Sequence, residues 1–368
     1  MLGFSGSGGG VTYPLRRVDD YVDYVKNVGK NLELRYVDYF VNNVCNLLCR
    51  HCYVEYESNN NDLTIEEWER VFDFCIESGA RVFGNVGKEP TLTWEKTKSL
   101  LSYFKNRKEK IPNIKYGIVT NGLLIDKKKV DQLKILNLDY IDISIDGSKA
   151  IHDKIRGKGT FAKTIQNILR ITKEDMQKKL FISYTLNKIN QHSFASLMHE
   201  LYQLGIKNYL VSPYLTNRIN DKLELTTHEY VNSIEDLMLN KSINWDAYKD
   251  INLYIRNDFT SRKYQNELLE QKIVDTEKLF KDDNDGVYYI YNVETNNIVF
   301  NVQTWNPDFW YALRISHDGY VSNCFDMSFP GYPERAIGNV RANSISEILQ
   351  NQAKSITKPR MVSCCSDR

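Results

Sequence analysis

Bulk charge of either sign is missing from this sequence, in which 48 Lys and Arg face 47 Asp and Glu. Nothing draws in a polyanion, so nucleic acid and an anionic membrane surface are excluded as principal partners. A hydrophobic run of about eighteen residues, the length that spans a bilayer, is also missing. The opening Met1-Leu2-Gly3-Phe4-Ser5 lacks the basic-then-apolar order of a signal peptide, and a cytosolic protein without membrane contact is expected. Phosphate loops are absent too. Gly157-Lys158-Gly159-Thr160 lacks the full Gly-x4-Gly-Lys-Thr spacing, and no strand precedes the glycines of Ser5–Gly10, so residues 1–12 read as a mobile terminus. Cysteine is sparse, seven residues in 368, and an odd count in a chain of this size does not make a disulfide framework.

Three of the seven stand together in Cys45-Asn46-Leu47-Leu48-Cys49-Arg50-His51-Cys52-Tyr53, directly after an apolar run. Three thiolates spaced in this way can hold an iron–sulfur cluster and leave one iron without a protein ligand. Four cysteines would saturate the cluster for electron transfer, whereas three invite a small molecule onto the open iron. A zinc site is the competing reading, completed by His51 or the distant His192, since zinc takes four Cys or His ligands. His51 lies between two of the cysteines, where turning back to the same metal is awkward, and no second Cys-x-x-Cys lies within finger distance. Three unligated structural thiols are the blandest alternative.

A chain of 368 residues exceeds one small domain and suits a large α/β core with an appendage. Val37–Asn42 reads as a strand, and Thr64 caps a helix from Ile65 to Ser78, with Glu67 completing a capping box. That helix carries Cys75 beside Val71, Phe72 and Ile76, a packed structural thiol rather than a ligand. Strands at 81–86, 114–120, 140–145, 180–186 and 208–212 then alternate with helices at 93–104, 127–136, 160–171 and 194–204. Six strands in this rhythm predict a parallel sheet in a partial (β/α)6 TIM-type barrel, with functional residues at the C-terminal strand ends. The unusual residues fall there. The cysteines follow the first strand, Gly87-Lys88-Glu89-Pro90 the second, Thr120-Asn121-Gly122 the third, Ser144 and Asp146-Gly147 the fourth, and Asn187 the fifth.

On these motifs residues 36–213 resemble the radical S-adenosylmethionine (SAM) superfamily. The resemblance implies a 4Fe-4S cluster on Cys45, Cys49 and Cys52, with the amino and carboxylate groups of SAM on the fourth iron. Gly87-Lys88-Glu89-Pro90 is similar to the family's Gly-Gly-Glu-Pro, with Lys88 in place of the second glycine; Glu89 would receive the SAM ammonium. Ser144-Ile145-Asp146-Gly147, then His152-Asp153 and Arg156-Gly157, is similar to a stretch of the peptide- and protein-modifying branch. Ser144 would contact SAM, Arg156 would pair with a carboxylate of SAM or substrate, and His51 and Tyr53 would offer flat rings near the adenine. Asn121 and Asn187 complete the residues placed around SAM. From the residues alone, Asp146-Gly147 also reads as a plain turn and Arg156 as part of a solvated basic loop.

Beyond Pro213 the pattern changes to a charged, helical stretch over 216–285 and a hairpin over 286–309. Leu313–Cys324, Ile337-Gly338-Asn339-Val340 and Ser344–Leu349 resemble the C-terminal SPASM/Twitch extension, whose further cysteines bind auxiliary clusters. Only Cys324, Cys364 and Cys365 are present there, enough for at most one such cluster, the alternative being a metal-free remnant. The expected organisation is an N-terminal segment with a lid helix (1–35), a core (36–215), a covering segment (216–312) and the extension (313–368). A radical SAM enzyme acting on a ribosomally made peptide or protein side chain is implied, by cross-linking, epimerisation or oxidation. It would draw one electron from a donor such as flavodoxin or ferredoxin. The alternatives are a radical SAM enzyme on a small metabolite and a cluster-bearing scaffold without turnover.

Overall fold

A computed structural model describes residues 34, 36–52, 61–214, 222–238, 243–255, 279–281, 287–293, 296–301, 312–322 and 336–356. The lid-helix stripe of Tyr21 to Val28 and the residues Tyr53, Cys324, Cys364 and Cys365 lie outside the described residues. In chain order the first part runs β1 (Tyr36–Tyr39), α1 (Ile65–Glu77), β2 (Val82–Asn85), α2 (Trp94–Lys110), β3 (Lys115–Thr120), α3 (Lys127–Leu136) and β4 (Tyr140–Ser144). Next come α4 (Lys149–Arg156), α5 (Thr160–Thr172), β5 (Leu180–Leu186), α6 (Phe194–Tyr202), β6 (Asn208–Pro213), α7 (Thr227–Met238) and β7 (Asn252–Ile255). The last part holds β8 (Leu279–Lys281), β9 (Val287–Val293), β10 (Asn296–Asn301), β11 (Ala312–Ile315), β12 (Tyr320–Ser322), β13 (Gly338–Asn339) and α8 (Ile345–Ile356).

All these strands lie in one sheet, ordered β13-β12-β11-β1-β2-β3-β4-β5-β6-β7-β10-β9-β8. From β11 through β1–β7 to β10 every pairing is parallel, and antiparallel strands finish both ends. The result is a mixed sheet that stays open among the described residues, with helices against it. A seventh parallel strand, β7, extends the six expected and lies in the stretch read as helical; its four residues, Asn-Leu-Tyr-Ile, are too few to set a period. α4 went unpredicted as well, because its buried face carries His152 and Arg156 beside Ile155. No helix among the described residues is long and apolar enough to cross a membrane.

Local chemistry explains where the elements begin and end. Thr64 accepts the Glu67 N–H while Glu67 accepts the Thr64 N–H, so the capping box opens α1 as the sequence indicates. α2 runs past Phe104 because Arg107, Lys108 and Lys110 complement the dipole of its last turn. Between helices and sheet, Tyr39, Phe72, Phe83 and Phe104 form an aromatic layer, with ring centroids 4.5 Å apart for Phe83–Phe104 and 4.6 Å for Phe72–Phe104. Cys75 is buried in this layer, as its apolar face requires. The layer fixes the two strands that feed the cysteine loop and the Gly87–Pro90 turn.

Candidate active site

The loop after β1 is stitched to the loop after β2 before any cysteine is reached. Asn42 donates to the Glu89 carbonyl at 3.0 Å and to Thr93 Oγ1 at 2.7 Å, and its own oxygen accepts the Val44 N–H at 3.1 Å. The Glu89 N–H donates to the Val44 carbonyl at 3.0 Å. Gly87 is obligatory in this arrangement, because a Cβ there would lie 2.3 Å from the Phe40 Cα. Lys88 sits half-buried, so the backbone tolerates a side chain where the family has its second glycine.

On this base the three cysteines sit within one loop. Cys45 and Cys49 are partly buried and Cys52 is exposed. The Leu47 N–H points at Cys45 Sγ from 3.4 Å, and the Cys52 N–H closes a turn on the Cys49 carbonyl at 3.0 Å. Burial pushes the Cys49 thiol up to about 11 against the pull of Arg156. No three His, Cys, Asp or Glu side chains among the described residues converge as a single-ion site. A cubane does not require that, since its cysteines bind different irons. Three thiols carried by one loop suit such a cluster. His51 turns its Nε2 toward Asp146, at 3.6 Å, and His192 is exposed beside Asp236.

Glu89 lies at the bottom of the loop, fully buried. Its Oε1 accepts the Thr91 N–H at 3.0 Å, the Thr120 hydroxyl at 2.8 Å and the Thr91 hydroxyl, while Oε2 accepts the Asn121 N–H at 2.8 Å. Burial raises its pKa, and these donors act against that. The carboxylate thus ties the ends of β2 and β3 together. Asn121 continues the chain of contacts, donating from Nδ2 to Asn46 Oδ1 at 2.8 Å and lying 4.0 Å from Cys45 Sγ.

A second buried group closes the other side. Arg156, on the last turn of α4, donates from Nε to Asp146, points Nη1 at Cys49 Sγ from 4.0 Å and Nη2 at His51 Nε2 from 3.5 Å. Asp146 Oδ1 also accepts the Thr185 N–H at 2.9 Å, the Asp146 N–H donates to His152 Nδ1 at 3.2 Å, and Asn190 donates to the Asp146 carbonyl at 3.1 Å. Burial opposes ionisation of Asp146, but Arg156 and the neighbouring histidines hold its pKa below the usual carboxylate range. Burial lowers His51 and His152 to about 4, so both are neutral near pH 7. Arg156 is therefore no solvated loop residue, and Asp146 is more than a turn.

Of the remaining sequence candidates, Ser144 ends β4 opposite Ser183 of β5 and is buried there. Asn187 is fully buried, and its side chain closes its own turn through the Thr185 carbonyl at 2.8 Å and the Ile189 N–H at 2.9 Å. Asn190 escaped the sequence reading, while Thr91, Thr120 and His152 stood within its motifs without a role of their own. The signal for Thr120 was its place at a strand end; for Asn190 none was visible.

Comparison with known proteins matches residues 39–201 to the radical SAM superfamily and residues 308–367 to SPASM, an iron–sulfur cluster-binding domain. Fe-coproporphyrin III synthase of Methanosarcina barkeri is 34% identical over 159 residues, covering 42% of this chain and 37% of that protein. The antilisterial bacteriocin subtilosin biosynthesis protein AlbA of Bacillus subtilis is 26% identical over 162 residues, covering 43% and 35%. The chain thus spans well under half the length of these curated relatives. Among solved structures, Streptococcus suis SuiB bound to precursor peptide SuiA has a TM-score of 0.61 over 90% of this chain and 68% of that one. At 16% identity that likeness is one of fold. The cysteine loop and the Gly87–Pro90 and Ser144–Gly147 strand ends all lie inside the matched region, and the chain carries a radical SAM core domain over residues 39–201 followed by a SPASM domain over residues 308–367.

Proposed function

We propose that this protein is a radical SAM enzyme whose Cys45, Cys49 and Cys52 hold a 4Fe-4S cluster and whose substrate is a peptide or protein side chain. The observation that carries the reading is the three-cysteine loop, in contact with the Glu89 network at the ends of β2 and β3 and the Arg156 network at the ends of β4 and β5. Bound there and given one electron by an external donor, the cluster and SAM would supply a 5′-deoxyadenosyl radical, with methionine released, able to take a hydrogen atom from an unactivated carbon. The chain's own contribution is binding, orientation and exclusion of water, since a carbon radical consumes whatever it meets first. Glu89, Ser144, Asn121, His51 and Tyr53 are the proposed SAM contacts. Asn187 and Arg156 complete the proposed residues around SAM.

The peptide reading is supported by the SPASM match, by the biosynthetic role in AlbA's name and by the precursor peptide in the SuiB complex. A small metabolite is the second reading, favoured by the identity with a synthase named for a porphyrin. Anaerobic incubation with SAM, a one-electron donor and candidate peptides, followed by mass spectrometry, separates the two. A peptide mass change with release of 5′-deoxyadenosine is expected. 5′-Deoxyadenosine released with every peptide intact, and with an added small metabolite such as a sugar or amino acid consumed, would transfer the assignment to the second reading.

Two further outcomes are expected. Glu89→Gln has one oxygen where Glu89 has two, and its amide nitrogen meets a backbone donor at Asn121. The substitution should lower stability by about 1–3 kcal/mol in a denaturant titration and weaken SAM binding by a similar amount. Unchanged SAM affinity would confine Glu89 to bracing the strand ends. Cys324, with Cys364 or Cys365, is proposed to hold one auxiliary cluster, for about eight irons per reconstituted chain, falling to about four in Cys324→Ala. A wild type with about four irons would make the C-terminal region a metal-free platform.

A further inference from the structure

The site contains a charged pair that SAM binding alone does not explain. A guanidinium that met only the carboxylate of SAM or substrate would be expected at the mouth of the sheet, open to its ligand. Arg156 instead lies 8% exposed, with Nε occupied by the fully buried Asp146. The Arg50 N–H bonds the Ile155 carbonyl at 3.0 Å, so the end of α4 and the second half of the cysteine loop are fixed to each other. This leaves Nη1 aimed at Cys49 Sγ, 4.0 Å away, on a rigid support. A buried ion pair contributes little net stability over an apolar pair of the same volume. Its orientation is the informative part: the positive end faces the sulfur, and Asp146 stands behind it.

We propose that the Asp146–Arg156 pair sets the reduction potential of the cluster on Cys49. Reduction adds an electron to the cluster and its thiolates, and a cation with an N–H aimed at one of those sulfurs favours the electron-rich state. Asp146 moderates the effect by offsetting part of the charge and holds the fork in register. Arg156 acts through Cys49 and is a positioning residue. The inference rests on the cluster proposed above.

The test is a redox titration of the anaerobically reconstituted protein without SAM, followed by electron paramagnetic resonance of the reduced cluster. At the wild-type midpoint, Arg156→Gln should lower the ratio of reduced to oxidised cluster at least tenfold, about 59 mV for one electron. Arg156→Lys, which keeps the charge and loses the fork, should shift less than half as far. Asp146→Asn, which unmasks the guanidinium, should shift upward. A purely structural role would lower iron content or stability and leave the midpoint of the surviving clusters in place. A midpoint unchanged in Arg156→Gln at wild-type iron content overturns the inference. Where Arg156→Gln fails to hold iron, Asp146→Asn decides, since an unchanged or lower midpoint there also overturns it. A wild type that binds no iron removes the cluster reading itself, an outcome distinct from a cluster whose potential ignores Arg156.

Discussion

Replacing Cys45, Cys49 and Cys52 together by alanine is expected to remove about four irons per chain and to abolish release of 5′-deoxyadenosine. The loop that carries them is held by other groups: Asn42 bridges Glu89 and Thr93, Glu89 N–H meets Val44, and Arg50 N–H meets Ile155. None of these bonds uses a sulfur, so the triple variant should fold with the metal-free stability of the wild type. That separation gives the experiment its meaning. Iron and sulfide are counted beside a denaturant titration, and cleavage of SAM is followed by chromatography. Retained cleavage in a folded variant would remove the three cysteines from the chemistry.

A second large effect is expected within the sheet. Asp38 of β1 and Arg314 of β11 are register partners on adjacent parallel strands, 0% and 1% exposed, with Arg314 Nε 3.6 Å from Asp38 Oδ2. Arg314→Met leaves the Asp38 carboxylate buried without that guanidinium, and the expected cost is about 3–5 kcal/mol. Asp38→Asn combined with Arg314→Met should recover part of the loss, because it removes the buried carboxylate charge that faced the guanidinium. Urea titrations of the metal-free single and double variants measure both. A single variant within about 1 kcal/mol of wild type would show that water or relaxation reaches the pair.

Much of this was legible in the residues, for identifiable reasons. Strong local signals were read correctly: the Thr64–Glu67 box at α1, the unbroken Leu180–Leu186 of β5, and the clustering of unusual residues at strand ends. What remained hidden depended on partners distant in sequence. Glu89 stood out in its motif, yet its four donors come from Thr91, Thr120 and Asn121, and no spacing rule joins them. Arg156 reads as surface-exposed until Asp146 is placed behind it. α4 has too few apolar positions to show a stripe, since two of its three buried residues, His152 and Arg156, are polar. β7 and β11 are four residues each and gain their identity from the strands beside them.

The pairing of β11 with β1 governs how the protein is made. β1 precedes the cysteines directly, yet its neighbour on one side is residues 312–315, distant from it in the chain. At synthesis rates of about 5–20 residues per second, tens of seconds separate the two strands as they leave the ribosome. Throughout that interval one edge of β1 carries unpaired backbone groups, a template for pairing with the wrong strand. Asp38 waits equally long for Arg314. The strand beneath the cysteine loop is therefore completed on that side only once residues 312–315 have emerged, and the exposed edge before then is the step at which wrong pairing competes with folding.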